Sequence, residues 1–176
     1  MLTKERIKEA ENNFKTYLDE SLIKKKTFDP QIIEILKQNA NESLILAKDT
    51  YDDDKSDLWV VVISYYSMFY IANAVINKKG WDCGDKNVHK VTADLLIVLL
   101  RDNVKQLITD YQDLMDEALI NIKTDEIIGS FDKERRKRGS FQYNMTSEIK
   151  HSKALTSLKR AQNFYFEMLK LLKVKN

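Results

Sequence analysis

An all-α protein, an antiparallel bundle of four to five core helices with an added N-terminal helix, is what this sequence predicts. Three observations carry that expectation. One Pro and four Gly in 176 residues leave few places where a helix must stop, and Lys, Glu, Leu and Ile are abundant. An uncharged run from Leu58 to Asn77 needs burial on every side. Most other segments repeat apolar residues three or four positions apart. Nothing alternates with the period of a strand, and no repeat of solenoid length occurs.

The first helix is expected over residues 4–24, with Ile7, Ala10, Phe14, Tyr17, Leu18 and Ser21 on one face. Residues 1–29 form an N-terminal extension in this reading, and 30–176 the bundle. Asp29-Pro30 reads as an N-cap followed by Pro in the first helical position. The helix it starts carries Ile33, Leu36, Ala40, Leu44, Ala47 and Tyr51 as its stripe. Asp52, Asp53, Asp54 and Asp57 then precede the apolar run, where carboxylates favour the positive end of the next helix. They lack the Gly and distal Glu of a calcium loop, so capping and solvation are the preferred reading.

The third helix is predicted over 56–79, capped by Gly80. Its length only just suffices to cross a bilayer. Ser64, Tyr65, Tyr66, Ser67, Tyr70 and Asn73 all need hydrogen-bond partners that lipid does not offer, so the run reads as a buried hub, with Tyr66 and Phe69 in the core. Trp81 to Asp85 reads as a loop, followed by a short helix with Val88, Val91, Leu95, Val98 and Leu99 on one side. Residues 103–123 give the cleanest amphipathic pattern: Val104, Leu107, Tyr111, Leu114, Ala118 and Ile122, widened by Ile108 and Met115. Gly129-Ser130 is expected to break it. The last helix, 147–172, has two apolar stripes, one through Leu155, Leu158, Gln162, Tyr165, Leu169 and Leu172, the other through Ala154, Ala161, Phe164 and Met168. A face that wide packs on more than one neighbour.

Chemistry-bearing patterns are few. The chain has no glycine-rich phosphate loop, metalloprotease pair or nucleophile elbow. A net charge of +2 gives no global field for nucleic acid or an acidic membrane. The single cysteine, Cys83, excludes an intrachain disulfide framework and has no adjacent base. That, with an N-terminus lacking the apolar core of a secretory signal, fits the expected cytoplasmic location. His89 reads as a helix-end or partly buried structural histidine, and His151 as an ordinary face residue. The strongest local feature is Lys133-Glu134-Arg135-Arg136-Lys137-Arg138, five cations in six residues, followed by Phe141 and Tyr143. A solvated charge run is the simpler reading. Phosphate binding by the guanidiniums, with bases stacked on the two aromatic rings, is the functional alternative.

Three pieces taken in order resemble a known family. They are Ser64-Tyr65-Tyr66-Ser67-Met68-Phe69-Tyr70-Ile71-Ala72-Asn73-Ala74, then Gly80 with Asn87-Val88-His89-Lys90-Val91, then Arg135-Arg136-Lys137-Arg138 through Phe141-Gln142-Tyr143 and a long final helix with Ala161 and Phe164. Over residues 30–172 the chain is similar to HEPN domains (higher eukaryotes and prokaryotes nucleotide-binding). The resemblance implies a helical bundle, commonly a homodimer. Many members are ribonucleases of toxin–antitoxin, abortive-infection or CRISPR systems; others are non-catalytic and pair with a small nucleotidyltransferase.

Catalytic members carry an Arg, four to six intervening residues and then a His. Here Tyr143 stands at that distance from Arg138 and Arg136, and His151 is too far away. Metal-independent RNA cleavage needs proton transfer near neutral pH, which a tyrosine titrating near 10 supplies poorly. The expectation is therefore a non-catalytic module that binds a nucleotide or RNA through Arg135, Arg136, Arg138, Phe141 and Tyr143, with no metal or other cofactor. It would act as a homodimer, with a nucleotidyltransferase as a further partner. The alternatives are a ribonuclease toxin using Arg138 with Tyr143 or a displaced histidine, and a purely structural dimerisation module.

Overall fold

The computed structural model describes residues 2–101, 117–143 and 150–173, with side-chain surroundings for 2–101, 124–139 and 150–173. Six α-helices and two short strands occur among them: α1 (Lys4–Asp19), β1 (Ile23–Lys25), α2 (Pro30–Asp52), α3 (Asp57–Lys78), β2 (Trp81–Cys83), α4 (Val88–Leu95), α5 (Glu117–Tyr143) and α6 (His151–Lys173). The helical bundle read from the sequence is what forms.

Local signals set most of the starts. Asp29 accepts hydrogen bonds from the Gln31 and Ile32 amides and Pro30 opens α2, so two of the orphan amides of the helix end are satisfied. Ser56 caps α3 by accepting from the Trp59 amide, and Asp57 sits in the first turn, against the positive end of the dipole. At the other end Gly80 has φ +76°, a left-handed conformation that turns the chain into β2. The amide of Lys26 donates to the Gly80 carbonyl at 3.0 Å, and Ile23 lies opposite Cys83 in an antiparallel pair.

α3 is the hub. It packs against α2, α5 and α6, and Val60, Val61, Tyr65, Met68, Ile71, Ala72, Ala74, Val75 and Ile76 are buried along it. By length and composition α3 could cross a membrane, but 67% of its most apolar window is buried by the bundle. Several of its polar groups find partners. Ser67 Oγ donates to the Ala40 carbonyl of α2 at 2.8 Å, and Asn73 Nδ2 donates to the Phe69 carbonyl at 2.8 Å. Ser64 Oγ, fully buried, has no hydrogen-bond partner among the described residues. Phe131 of α5 and Phe164 of α6 close the core, their rings 5.6 Å apart. Of the two stripes on α6, Ala154, Ala161, Phe164 and Met168 are all buried, joined by Leu158 and Tyr165. Tyr66 and Phe69, expected in the core, are only half-buried, and their neighbours Tyr65 and Met68 take the interior.

Several boundaries differ from the sequence reading. The first helix stops at Asp19 rather than residue 24, because Ser21 adopts φ 56° and 23–25 pair with β2. Two strands thus form where no alternation was legible; at three residues each they are too short to carry a period. Leu18, placed on the inner face, is exposed. α4 continues as a π-helical turn, Leu96–Leu100. Most of the amphipathic segment 103–123 lies outside the described residues, and 117–123 are the opening turns of α5. Gly129-Ser130 does not interrupt that helix. Ser130 Oγ donates back to the Ile127 carbonyl at 2.7 Å, and Gly129 is buried against Leu2. The last helix begins at His151; 147–149 lie outside the described residues.

A buried charge cluster seats α1. Asp94 of α4, with no exposed surface, accepts from Arg6 Nη2 at 2.6 Å, Tyr17 Oη at 2.7 Å and Asn13 Nδ2 at 2.9 Å. Arg6 also bridges to Asp132 of α5 at 3.4 Å. Arg6→Met should cost about 3–5 kcal/mol in chemical denaturation, because Asp94 stays buried without its cation. Adding Asp94→Asn should return part of that loss. Phe131→Ala should cost about 3–5 kcal/mol as a core truncation, while Trp59→Ala, at an exposed position, should stay within about 0.5 kcal/mol.

Candidate anion-binding site

The basic run lies in the interior of α5, not at the start of a helix, so the helical period sends its side chains in different directions. Arg135 turns onto Asp132, with Nε at 3.0 Å and Nη2 at 2.8 Å from Oδ1. Arg136 reaches Oδ2 of the same carboxylate at 2.9 Å, with its side chain 63% exposed. Burial raises the Asp132 carboxyl, but the hydrogen bond and charge of Arg135, with the charges of Arg6 and Arg136, outweigh it and hold the group below the usual carboxylate range. On the flank facing α6, Glu134 is wholly buried and bound by Arg160 Nη1 at 2.7 Å. Lys137 donates to Ser157 Oγ at 2.5 Å and to the Lys153 carbonyl at 2.8 Å; burial pushes its amine down. A solvated charge run is therefore a correct description of Lys133 and Arg136 only.

Arg138 goes elsewhere. It is buried, with its guanidinium carbon 5.0 Å from the centre of the Tyr65 ring and 5.8 Å from that of Tyr66. That geometry is a cation–π arrangement over two rings of α3. His89, near the start of α4, also meets Tyr65, with Nδ1 2.9 Å from the Tyr65 hydroxyl. The His89 ring lies 4.6 Å from Phe69 and 6.1 Å from Tyr66. Phe69 and Tyr66 each also contact Tyr70. Tyr65 is thus the joint between one cation and one imidazole, inside a rim of half-buried aromatic rings.

The electrostatics follow from this packing. Burial, and after it the charges of Arg138 and Arg135, push the His89 imidazole down to about 4. Burial raises the Tyr65 phenol, against a smaller opposing effect of Arg138 and Arg135, so it stays a neutral hydroxyl. At neutral pH the cluster offers two guanidiniums, a neutral imidazole and a phenol.

Among the residues read from the sequence, the structure brings Arg135 and Arg138 to this cluster. It directs Arg136 to Asp132 and solvent. Phe141 and Tyr143 belong to the last turn of α5, and their side chains lie outside the described residues. His89, read as structural, does sit partly buried near a helix start, yet it faces the arginines. Sequence reasoning missed Tyr65, Tyr66, Phe69 and His89 as one group. The available signal was the shared position of Tyr66, Phe69 and Tyr70 on one side of α3. His151 is more than a face residue: its ring stacks on Tyr51 at 4.3 Å and its Nδ1 lies 2.9 Å from Asp57, tying α6 to the α2–α3 turn. Burial pushes the Cys83 thiol up to about 11, which keeps it a thiol at neutral pH.

No protein-family model matches this chain, and no curated protein matches it.

The depressed His89 imidazole sets a sign for stability against pH. The unfolded chain takes up a proton near 6.5 and the folded chain only near 4, so the unfolded state binds more protons in between. Stability contributed by neutral His89 is present above about 6.5 and is lost as pH falls toward 4. Denaturant midpoints for wild type should drop between pH 7 and pH 5, and His89→Gln should flatten that drop.

Proposed function

We propose that this protein is a HEPN-like helical module that binds a phosphate-bearing base, a nucleotide or RNA, at the Arg138–Tyr65–His89 cluster, and that it does so without cleaving its ligand. The single observation behind this reading is the placement of Arg138 on the faces of Tyr65 and Tyr66, with Arg135 beside it and half-buried rings around it. Guanidiniums supply donors that match phosphate oxygens, and aromatic faces accept stacked bases of any sequence. The order of residues from Ser64 to Ala74, from Gly80 to Val91 and from Arg135 to Tyr143 supports the family assignment on resemblance alone.

Partners are part of the same proposal. A homodimer and a nucleotidyltransferase partner rest on the resemblance. Exposed Ile35, Ile45 and Leu46 on α2 and Phe166 on α6 supply apolar surface for such contacts. Sedimentation at micromolar concentration should show a two-chain species, and a monomer at all concentrations would remove the dimer from this reading.

A ribonuclease is the second reading, favoured by one observation: His89 shares Tyr65 as a neighbour with Arg138 and feels its charge, which brings an imidazole near a motif that has Tyr143 in the histidine's place. Against it, an imidazole titrating near 4 is an ineffective proton donor at pH 7.

Two assays separate these readings. In fluorescence titrations with AMP and with a short single-stranded RNA, Arg138→Ala should weaken binding by about 10–100-fold, the loss of a charge-assisted contact. Lys26→Ala, at an exposed position outside the cluster, should change nothing, and affinity should fall steeply with salt. Equal effects of the two substitutions would reduce the site to non-specific charge. Total RNA should stay intact with wild type. Cleavage that disappears in both Arg138→Ala and His89→Ala would put the ribonuclease first.

A further inference from the structure

Tyr65 and His89 share one hydrogen bond, and its surroundings decide which atom of the imidazole carries the proton. Tyr65 has no exposed surface, and its hydroxyl meets one hydrogen-bonding group among the described residues, His89 Nδ1 at 2.9 Å. At neutral pH both groups are uncharged, as an unperturbed phenol and most of an unperturbed imidazole population would also be. One proton therefore lies in the contact, and there are two ways to place it. If Nδ1–H donates, the phenol keeps a buried hydroxyl proton with no acceptor, which is costly. If the phenol donates to a bare Nδ1, no buried hydrogen is left over, and the ring proton sits on Nε2. The His89 ring is half-buried, 4.6 Å from Phe69 and 6.1 Å from Tyr66. Its Nε2 has no hydrogen-bond partner among the described residues and is not one of the buried unpaired atoms, so it reaches solvent.

We propose that Tyr65 is a positioning residue that locks His89 as its Nε2–H tautomer, so that His89 offers the ligand a neutral hydrogen-bond donor and recognises an acceptor that carries no proton of its own. This rests on the binding module proposed above and specifies what one side of it reads. Two kinds of atom in a nucleotide have that chemistry, a phosphate oxygen and a ring nitrogen of the base. His89 stands against Phe69 and Tyr66, two of the rings offered to a stacked base, so either acceptor belongs to the same bound molecule. The lock also withholds a base. The one in-plane lone pair of the neutral ring is used by the phenol, so His89 takes no proton from a ribose 2′-hydroxyl unless that bond breaks. The opposite tautomer would present a bare Nε2 to solvent, which is the form a general base needs. Tyr65 thereby favours binding over cleavage through the direction of one hydrogen bond.

The test begins on the isotope-labelled full-length protein without ligand, by long-range proton–nitrogen NMR, which reads each imidazole nitrogen as bare or protonated. His89 should show a bare Nδ1 and a protonated Nε2 at neutral pH. In Tyr65→Phe, which keeps the ring and removes the hydroxyl, the two nitrogen shifts should move toward one another as the tautomers mix. AMP and adenosine are then titrated into wild type and two variants. His89→Leu should weaken AMP binding about tenfold, the scale of one hydrogen bond. His89→Gln, whose side-chain amide also donates, should recover most of that loss. An equal loss for adenosine supports a contact to the base, and a loss confined to AMP supports a contact to the phosphate. A protonated Nδ1 in the unliganded protein, unchanged shifts in a folded Tyr65→Phe, or equal AMP affinity in the Leu and Gln variants would each overturn this inference. The binding module survives those results as long as wild type binds AMP and Arg138→Ala weakens it. If Tyr65→Phe does not fold, the wild-type spectrum and the His89 pair still decide. A wild-type protein that binds neither AMP, adenosine nor single-stranded RNA would overturn the module and the donor role with it.

Discussion

A helix that is apolar around its whole circumference must be enclosed, and the rest of this structure is arranged to enclose α3. α2, α5 and α6 each give it a face, and the short sheet β1–β2 holds the chain where it leaves the hub. Enclosure settles the fate of α3's polar atoms too. Ser67 is satisfied by a carbonyl of α2, Asn73 by its own helix, and Tyr65 by an imidazole from α4. A lipid environment would not offer the partners of Ser67 and Tyr65, which the packed interior supplies from α2 and α4.

Charge follows the same constraint on α5. A helix carrying five cations in six residues would stay on the surface if all pointed one way. Because it lies against α3 and α6, Arg138 is buried and Arg135 and Lys137 are partly so, and such cations need an anion or a π face. Asp132 takes Arg6, Arg135 and Arg136; Glu134 takes Arg160 with Lys137 nearby; Arg138 takes two tyrosine rings. The carboxylates inside the helix are the reason that a strongly basic segment can be an internal element. Arg138 differs from its neighbours in lying over two tyrosine rings of α3.

Much of the fold was legible from residues alone. The Asp29-Pro30 start, the burial of Leu58 to Asn77, the turn at Gly80 and the inner stripe of Ala154, Ala161, Phe164 and Met168 all follow from cap chemistry and period. The candidate site was only half legible. Arg138 and Arg135 could be picked out as cations near aromatic residues, but the rings that meet Arg138 come from α3, not only from its own segment. Ser130 and Gly129 misled because a helix breaker is weak when the flanking turns are held by packing; Gly129 is enclosed and Ser130 bonds back to its own helix. His89 looked structural because a lone histidine beside valines gives no hint of what faces it.

The sequence by itself determined the helical class, the identity of the buried hub and the positions of most helix starts. These depend on interactions within a few residues, or on a composition that admits only burial. The tertiary structure decided which cations are spent on internal carboxylates and which one faces an aromatic cluster. It also decided that a histidine from α4 and an arginine from α5 meet across a tyrosine of α3. That meeting depends on how three helices are rotated and stacked against one another. The rotation is fixed by the packing of the whole core, not by the period of any single segment.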